Sequence, residues 1–396
     1  MEVVGGLQNE MEKELKQHGD LGLNDCVTDE EKNFLDLVEH VTWSEEEINK
    51  LNEPTSEQEI LRILKNETNL DSAPGEDGLT ARFMLILWEF ESYRWLYVKF
   101  LNYTRFSSTF RNRNNIGIMV IKNKKSQSIE YDKKRKLTKI NKDSNIGNGK
   151  VWTNRMREIV LPKILPINQF NCQKTVNIID EIREIRDVNL DLLKEGKDGT
   201  ILSIDFNNAF RSISLRWFNL VMKKFQVPAS FLNWFWRMYE NLGIIIVVNS
   251  CKSDILKVKR GFMEGHPASM AAFVTALIPL MIKIDNSIAG LKVHGQVHKC
   301  KLFADDLKVF LIHLNKVDLI EDFIGKFEHV SGVLLHRDSI REKCQALPFG
   351  KHKDYKDWNK WPWITVKGTI KVVNTELAVK NGFLELHKSF GYKWTI

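Results

Sequence analysis

The sequence has few cysteines, and they form no pattern. The five residues are odd in number and scattered, without a CxxC pair or a Cys/His cluster: Cys26, Cys172, Cys251, Cys300 and Cys344. This distribution excludes a disulfide framework. It predicts reduced thiols in an intracellular protein that has no zinc site.

Long apolar runs are also missing. The longest extends from Met270 to Ile282, about thirteen residues that include Pro279, which is too short to span a bilayer and suits a buried core helix. The first residues lack the charged and apolar regions of a signal peptide. We therefore expect a soluble chain without a membrane partner.

The charge that is present is unevenly distributed. The chain has 396 residues and a net charge of +7, with 43% apolar and 28% charged residues, a composition typical of soluble globular proteins. Twelve Lys or Arg and three acids lie between Lys122 and Arg157. Such a stretch suits a phosphate backbone, although a solvated surface gives the same pattern. The length predicts two or three subdomains.

The tetrad Phe303-Ala304-Asp305-Asp306 lies between two short apolar runs. The alternation after it, from Leu307 to Leu311, is typical of a strand buried mainly on one face, so we predict a β-hairpin with the acids at its tip. Two adjacent carboxylates repel each other unless a cation lies beside them. By itself the tetrad fits either a metal site or a polar turn.

A third carboxylate follows a second strand. The residues from Gly199 to Ile204 predict a buried strand that ends on Asp205. Three carboxylates on two neighbouring strands could bind two divalent cations, which clamp the oxygens of an in-line phosphoryl displacement. Carboxylate oxygens are the ligands that Mg²⁺ prefers.

Six segments, in order along the chain, match a set of short motifs. Ser72–Thr80 resembles SPGxDGLT, Tyr131–Thr138 stands where RPIS/RPLT belongs, Asn168–Phe170 matches NQF, Ile204–Phe210 resembles LDxxKAF, Arg260–Ser269 resembles RGxRQGxPLS, and Phe303–Asp306 resembles YADD. Six ordered motifs are far more specific than any one of them. Together they resemble the reverse transcriptase domain of non-LTR (LINE-type) retrotransposons, over a range from about residue 50 to about residue 373.

The resemblance implies an α+β fold, a right-hand polymerase of fingers, palm and partial thumb with an antiparallel palm sheet. It assigns Asp205, Asp305 and Asp306 as catalytic, metal-binding carboxylates, with the carbonyl of Phe206 as a further ligand. The implied cofactor is a pair of Mg²⁺ ions, with Mn²⁺ as a possible substitute. The implied domains are a polar helical extension (1–50), a fingers-like region (51–198), the palm (199–340) and a partial thumb or β element (341–396).

The resemblance also implies the substrates, which are an RNA template, a DNA primer and deoxynucleoside triphosphates. Phe210 falls at the steric gate, Glu264, Gly265 and Pro267 lie beside the nucleotide, and Arg135 would contact phosphate. Basic residues are expected to bind nucleic acid: Lys122, Lys124, Lys125, Lys133, Lys134 and Lys139. The family places such a chain in the nucleus or in a cytoplasmic ribonucleoprotein, and the sequence leaves its oligomeric state open.

Several residues depart from the family pattern. Asn208 replaces a Lys, Glu264 replaces a Gln, and Ser339 stands where a Lys that could protonate the pyrophosphate leaving group is expected. The alternative function is therefore a decayed fragment that binds RNA or DNA without polymerising. A metal phosphatase is disfavoured because no phosphate-sized nucleophile or His base is present. Since no endonuclease, full thumb or Cys/His knuckle is recognisable, we expect a piece of a longer element.

Overall fold

The computed structural model describes residues 27–75, 77–106, 116–123, 134–140, 143–173, 178–239, 242–248, 251–293, 295–337, 343–372, 375–380 and 383–387. The helices are α1 Asp29–Leu35, α2 Glu45–Asn52, α3 Glu57–Asn66, α4 Ala81–Leu87, α5 Glu91–Phe106, α6 Val151–Arg155, α7 Leu161–Ile164, α8 Ile178–Lys194, α9 Ala209–Ser212, α10 Leu215–Lys224, α11 Ala229–Tyr239, α12 Pro267–Ser287 and α13 Lys316–Ser331. Wider π-helical turns, Asp143–Lys150 and Met156–Val160, adjoin α6.

The strands are β1 Ile116–Asn123, β2 Lys134–Ile140, β3 Gly199–Ile204, β4 Phe206–Asn207, β5 Gly243–Val248, β6 Cys251–Lys252, β7 Leu256–Lys257, β8 Leu291–Val293, β9 Gln296–His298, β10 Cys300–Phe303, β11 Asp306–Leu311, β12 Leu334–Leu335, β13 Gln345–Phe349, β14 Thr365–Val366, β15 Thr369–Val372, β16 Thr375–Lys380 and β17 Phe383–His387. Two short 3₁₀ helices, Gly350–Asp354 and Asp357–Lys360, lie between β13 and β14.

The chain forms two compact units, each assembled from separate segments. In the described residues, the first contains His40–Lys163 and Ile213–Phe273, and the second contains residues 27–39, Ile164–Ser212 and the chain from Val274 onward. The four domain ranges expected from the sequence are consecutive stretches, and as subdomain boundaries they stay a prediction.

The first unit combines helices with a five-stranded sheet. β1 pairs with β2 antiparallel and with β5 parallel, and β6 and β7 both pair with β5. Aromatic side chains of α6, α10 and α11 form its core, where the rings of Trp152 and Phe231 stack with centroids 5.1 Å apart. Such pairs stabilise a core beyond the area they bury.

The second unit is built on a five-stranded sheet in the order β10-β11-β3-β13-β14. α8 covers one face of this sheet, because its residues Ile185, Val188 and Leu192 share an apolar cluster with Ile201 of β3 and Phe310 of β11. Each of these side chains is buried, so the hydrophobic effect fixes the helix on that face.

The expected α+β class and the antiparallel pairing of the two acid-bearing strands are confirmed. The apolar run from Met270 to Ile282, expected to form a buried core helix, lies within α12. By length and composition α12 also suits a membrane span, but 78% of its apolar window is buried inside the protein, as in a core helix. The residues before 27 lie outside the described part of the chain.

One detail of the helix starts was wrong. In the sequence, Thr42-x-x-Glu45 and Thr55-x-x-Gln58 each match the capping box and predict N-caps at Thr42 and Thr55. In the structure the N-caps of α2 and α3 are Ser44 and Ser56, whose hydroxyls accept hydrogen bonds from Glu47 N and Glu59 N. Overlapping Ser/Thr and Glu residues offer two registers of the same motif, and a helix uses only one of them.

Candidate active site

The tetrad lies at the tip of a β-hairpin, as predicted. β10 and β11 pair antiparallel, with Phe303 opposite Asp306, so that Ala304 and Asp305 form the turn. Ala304 has φ +57, a left-handed conformation that L-residues rarely adopt. The sharp turn separates the two acids, since Asp305 belongs to the turn and Asp306 begins β11.

Asp205 lies directly beside this tip. β11 pairs antiparallel with β3, and Leu307 is opposite Ile204, the last residue of β3. The backbone of Asp205 is held on both sides: its carbonyl accepts a hydrogen bond from His336 N (3.0 Å), and its amide faces the Sγ of Cys344 at 3.5 Å. Strand pairing therefore brings Asp205 and Asp305, one hundred positions apart in the sequence, to one end of the sheet.

The charges at this end are only partly balanced. Burial raises the pKa of Asp305, and the neighbouring carboxylates of Asp205 and Asp306 raise it further, whereas Lys343 opposes the effect. The Nζ of Lys343 lies 3.5 Å from Oδ2 of Asp205. Both of these side chains are partly exposed, so their ion pair is weak.

Asp306 has a different partner. Its Oδ1 forms an ion pair with Nζ of Lys308, and the same Nζ donates a hydrogen bond to Oγ of Ser203 at 2.9 Å. Glu181 of α8 is also close, but burial raises its pKa to about 8, so it is mainly protonated at neutral pH. Asp306 is then the carboxylate that balances Lys308.

In the part of the chain that the structure describes, no group of three or more His, Cys, Asp or Glu side chains is arranged to hold a metal ion. Asp205 and Asp305 nevertheless interact electrostatically, so two carboxylates lie near each other. Their hard oxygen atoms are ligands that Mg²⁺ and Mn²⁺ accept. Phe206 follows Asp205 on β4 and is buried. The predicted ligand set of Asp205, Phe206, Asp305 and Asp306 stays a prediction.

The Asn168-Gln169-Phe170 segment fixes the hairpin from its outer side. The amide of Phe170 donates to the Leu302 carbonyl (2.8 Å), and the amide of Leu302 donates to the Asn168 carbonyl (3.0 Å). The side chain of Gln169 is completely buried. These bonds extend the pairing of β10 and so hold the strand that leads to Asp305.

The residues predicted to lie beside the nucleotide are divided between the units. In the first unit, Glu264 is half-buried, Gly265 has φ +89, a conformation natural to glycine, and Pro267 begins α12. In the second unit, Phe210 is half-buried on α9. Their nucleotide-binding role stays a prediction.

Three of the six predicted nucleic-acid contacts lie on the strands of the β1–β2 hairpin in the first unit. Its register places Lys122 opposite Arg135 and Ile118 opposite Lys139, and Lys134 opens β2. Lys124, Lys125 and Lys133 lie outside the described residues. Cationic residues thus recur along β2, and Lys122 lies near the end of β1.

Sequence reasoning missed three residues around the acids: Lys308, Cys344 and Glu181. The alternation from Asp306 onward could have identified Lys308, because residues two apart on a strand share a face. Cys344 and Glu181 carry no such signal, since each reaches the site through tertiary packing.

Comparison with known proteins identifies the family of the chain. Residues 122–347 match the family "Reverse transcriptase (RNA-dependent DNA polymerase)". This match covers more than half of the chain, which therefore belongs to the reverse transcriptase family. The family predicted from the six motifs is confirmed.

A curated relative is the retrovirus-related Pol polyprotein from the type-2 retrotransposable element R2DM of Drosophila melanogaster. The two are 24% identical over 156 residues, which are 37% of this chain and 15% of the relative. The chain thus spans a small part of that protein's length. Among solved structures, apo telomerase from Candida tropicalis, truncated from the C-terminal domain, is 11% identical with a TM-score of 0.40 over 60% of this chain and 44% of that chain.

Proposed function

We propose that this chain is an RNA-directed DNA polymerase domain of a LINE-type retroelement, which adds deoxynucleotides to the 3′-hydroxyl of a primer. The observation that carries the proposal is the position of Asp205 and Asp305 at one end of two paired strands, in a chain of the reverse transcriptase family. Catalysis of phosphoryl transfer depends mainly on positioning and on stabilising charge. Paired strands supply the rigidity that such positioning requires.

Divalent cations would be held by Asp205 and Asp305, with the carbonyl of Phe206 as a further ligand. The sequence also predicts Asp306 as a ligand, but its carboxylate is paired with Lys308. Two Mg²⁺ ions, or Mn²⁺ in their place, would stabilise the attacking and leaving oxygens of an in-line displacement. The chemistry of the donors supports this fit, because the carboxylates of Asp305 and Asp205 are close enough to repel each other and a cation would relieve that repulsion.

Other residues of the chain would select and orient the substrates. Phe210 would exclude a ribose 2′-hydroxyl, Gly265 and Pro267 would shape the turn beside the new base pair, and Arg135 would bind phosphate. The template and primer would contact the basic β1–β2 hairpin. Synthesis of this kind would take place in the nucleus or in a cytoplasmic ribonucleoprotein.

Primer extension on an RNA template, in Mg²⁺ or Mn²⁺, tests the proposal. Asp305→Asn keeps the size of the side chain and removes its charge, and we expect it to lower the rate by about 10²–10³. Asp322→Asn is a matched control on α13, where the aspartate is exposed and paired with Lys326. The proposal is contradicted if the unmodified chain extends primers no better than Asp305→Asn.

A second candidate function is nucleic-acid binding without synthesis. It is favoured by the half-buried Glu264 at a position where the family has a Gln, and by the ammonium groups of Lys308 and Lys343 beside two of the predicted carboxylates. Binding would weaken as salt rises, because neutralised phosphates release counterions. Asp305→Asn would leave that binding unchanged.

Reversion separates the two candidates. Glu264→Gln is the cleaner change, since Asn208 has φ +48 and Asn208→Lys places a less tolerant residue there at a cost of about 1–2 kcal/mol. Synthesis that appears only after reversion would indicate a competent fold with a decayed site. Binding without synthesis in both forms would favour the second candidate.

A further inference from the structure

Asp306 lies on the strand β11, whereas Asp305 belongs to the turn, and the two side chains have different neighbours. On β11, Asp306, Lys308 and Phe310 are two residues apart and so project from the same face of the strand. Phe310 packs in the cluster formed by α8, and Glu181 of α8 interacts electrostatically with both Asp306 and Lys308. The side chain of Asp306 therefore lies on the α8 face of the sheet.

Lys308 is an internal cation on that face. Its side chain is 0% exposed, and its Nζ contacts Oδ1 of Asp306 and Oγ of Ser203. Ser203 is the residue directly opposite Lys308 in the β3–β11 register. A lysine that is wholly buried needs a charged partner, because an unpaired ammonium group is very costly inside a protein.

The other charged groups on this face do not replace Asp306 as the partner. Lys301 is directly opposite Lys308 on β10, and its Nζ forms an ion pair with Glu184. Neither carboxyl oxygen of Glu181 makes a hydrogen bond among the described residues. Among the carboxylates on this face, Asp306 is therefore the one that contacts the ammonium group of Lys308.

The ion pair at Asp205 differs in exposure. The side chain of Lys343 is 43% exposed, and its Nζ lies 3.5 Å from Oδ2 of Asp205. This side chain can therefore rotate toward the solvent when a cation approaches. Lys308 has no such route, since it is enclosed between the sheet and α8. A cation at the hairpin tip can displace Lys343 from Asp205 far more readily than Lys308 from Asp306.

We propose that Lys308 is a positioning residue that neutralises Asp306 and holds it on the α8 face, so that Asp205 and Asp305 are the carboxylates presented to divalent cations. The part that concerns cations rests on the proposed function. The ion pair itself is a property of this chain's fold.

The test is Mn²⁺ binding followed by electron paramagnetic resonance, without nucleotide or nucleic acid. We expect Asp305→Asn to weaken binding about tenfold or more, and Asp306→Asn to change it by less than about twofold. Lys308→Met, which removes the ammonium group and keeps the length of the side chain, should tighten binding by about three- to tenfold because it adds net negative charge. Adding Asp306→Asn to Lys308→Met should abolish that gain.

Lys301→Met is the matched control. It removes a second buried ammonium group on the same face, but one that pairs with Glu184. The effect of Asp306→Asn on Mn²⁺ affinity should be as small in the Lys301→Met variant as in the unmodified chain. If Asp306→Asn lowers the Mn²⁺ affinity as much as Asp305→Asn does, the inference is overturned and the proposed function still stands.

Chemical unfolding without metal decides the inference independently of the proposed function. The effects of Lys308→Met and Asp306→Asn on the unfolding midpoint should be strongly non-additive, because the residues are in direct contact. Additive effects would overturn the inference. Absence of Mn²⁺ binding to the unmodified chain, with coupling intact, would count against the proposed function and not against the ion pair. If Lys308→Met does not fold, the comparison of Asp306→Asn with Asp305→Asn gives the decision.

Discussion

At the residue scale, His266 is a buried imidazole with an unusual environment. Its Nδ1 accepts a hydrogen bond from Ala268 N (3.2 Å), and its Nε2 has no hydrogen-bond partner among the described residues. Its ring packs against Tyr239, with centroids 5.5 Å apart. Burial lowers the pKa of His266 to about 4. The folded protein therefore keeps this side chain neutral where the unfolded chain would protonate it.

This difference predicts a pH dependence of stability. Between pH 6.5 and pH 4 the unfolded chain binds the proton and the folded chain does not, so the free energy of unfolding falls as pH falls, by about 3 kcal/mol in total. His266→Gln retains an acceptor and removes the titration. Urea unfolding at pH 7 and pH 4.5 should show a smaller loss in the variant, and equal losses would contradict the prediction.

The sequence predicts some residues of the site and not others. Asp205, Asp305 and Asp306 were identified because their motifs are local. The ion pair of Asp306 with Lys308 was not, because alternation shows that they share a face without showing that α8 closes over it. The sequence therefore predicts the acids better than their partners.

At the scale of elements, the strained turn of the hairpin is Ala304, with φ +57 and a nearly buried side chain. Ala304→Val adds a β-branched side chain in a conformation that disfavours it and should destabilise the protein by about 1–2 kcal/mol. Ala304→Gly should have little effect, since relief of strain is offset by greater freedom of the unfolded chain. Comparison of the urea unfolding midpoints of the Ala304→Val and Ala304→Gly variants checks this prediction. A Val variant as stable as the Gly variant would contradict it.

The elements themselves were well predicted where periodicity was strong. The alternation after Asp306 and the apolar run from Gly199 predicted β11 and β3, and their antiparallel pairing followed from the family resemblance. The expectation that β11 is buried mainly on one face was wrong, because every residue from Leu307 to Leu311 is buried and α8 covers the second face. The bridge between Gln169 and Leu302 could not be predicted, because it joins segments more than one hundred residues apart. Such contacts depend on tertiary packing, for which a single sequence carries no local signal.

At the scale of the whole molecule, the chain has a net charge of +7, and five of its Lys and Arg residues lie on the strands of the β1–β2 hairpin. Neutralising Lys134, Arg135 and Lys139 to Gln should weaken RNA binding and reduce the slope of log K against log salt by about 0.7–0.9 for each phosphate that the hairpin no longer neutralises. A matched triple change to Gln at the exposed Lys351, Lys353 and Lys356 should leave the slope unchanged. Equal effects of the two triple variants, measured by fluorescence anisotropy, would contradict a specific role for the hairpin.

The two stretches of sequence that carry Asp205 and Asp305 are proposed to form one cation site. Crystals soaked in Mn²⁺ and measured at the manganese absorption edge test this directly. We predict an anomalous peak about 2–2.5 Å from carboxylate oxygens of both Asp205 and Asp305, with Lys308 still paired to Asp306. A peak bound to Asp306 alone, or none at the hairpin tip, would contradict the proposal that Asp205 and Asp305 share a cation.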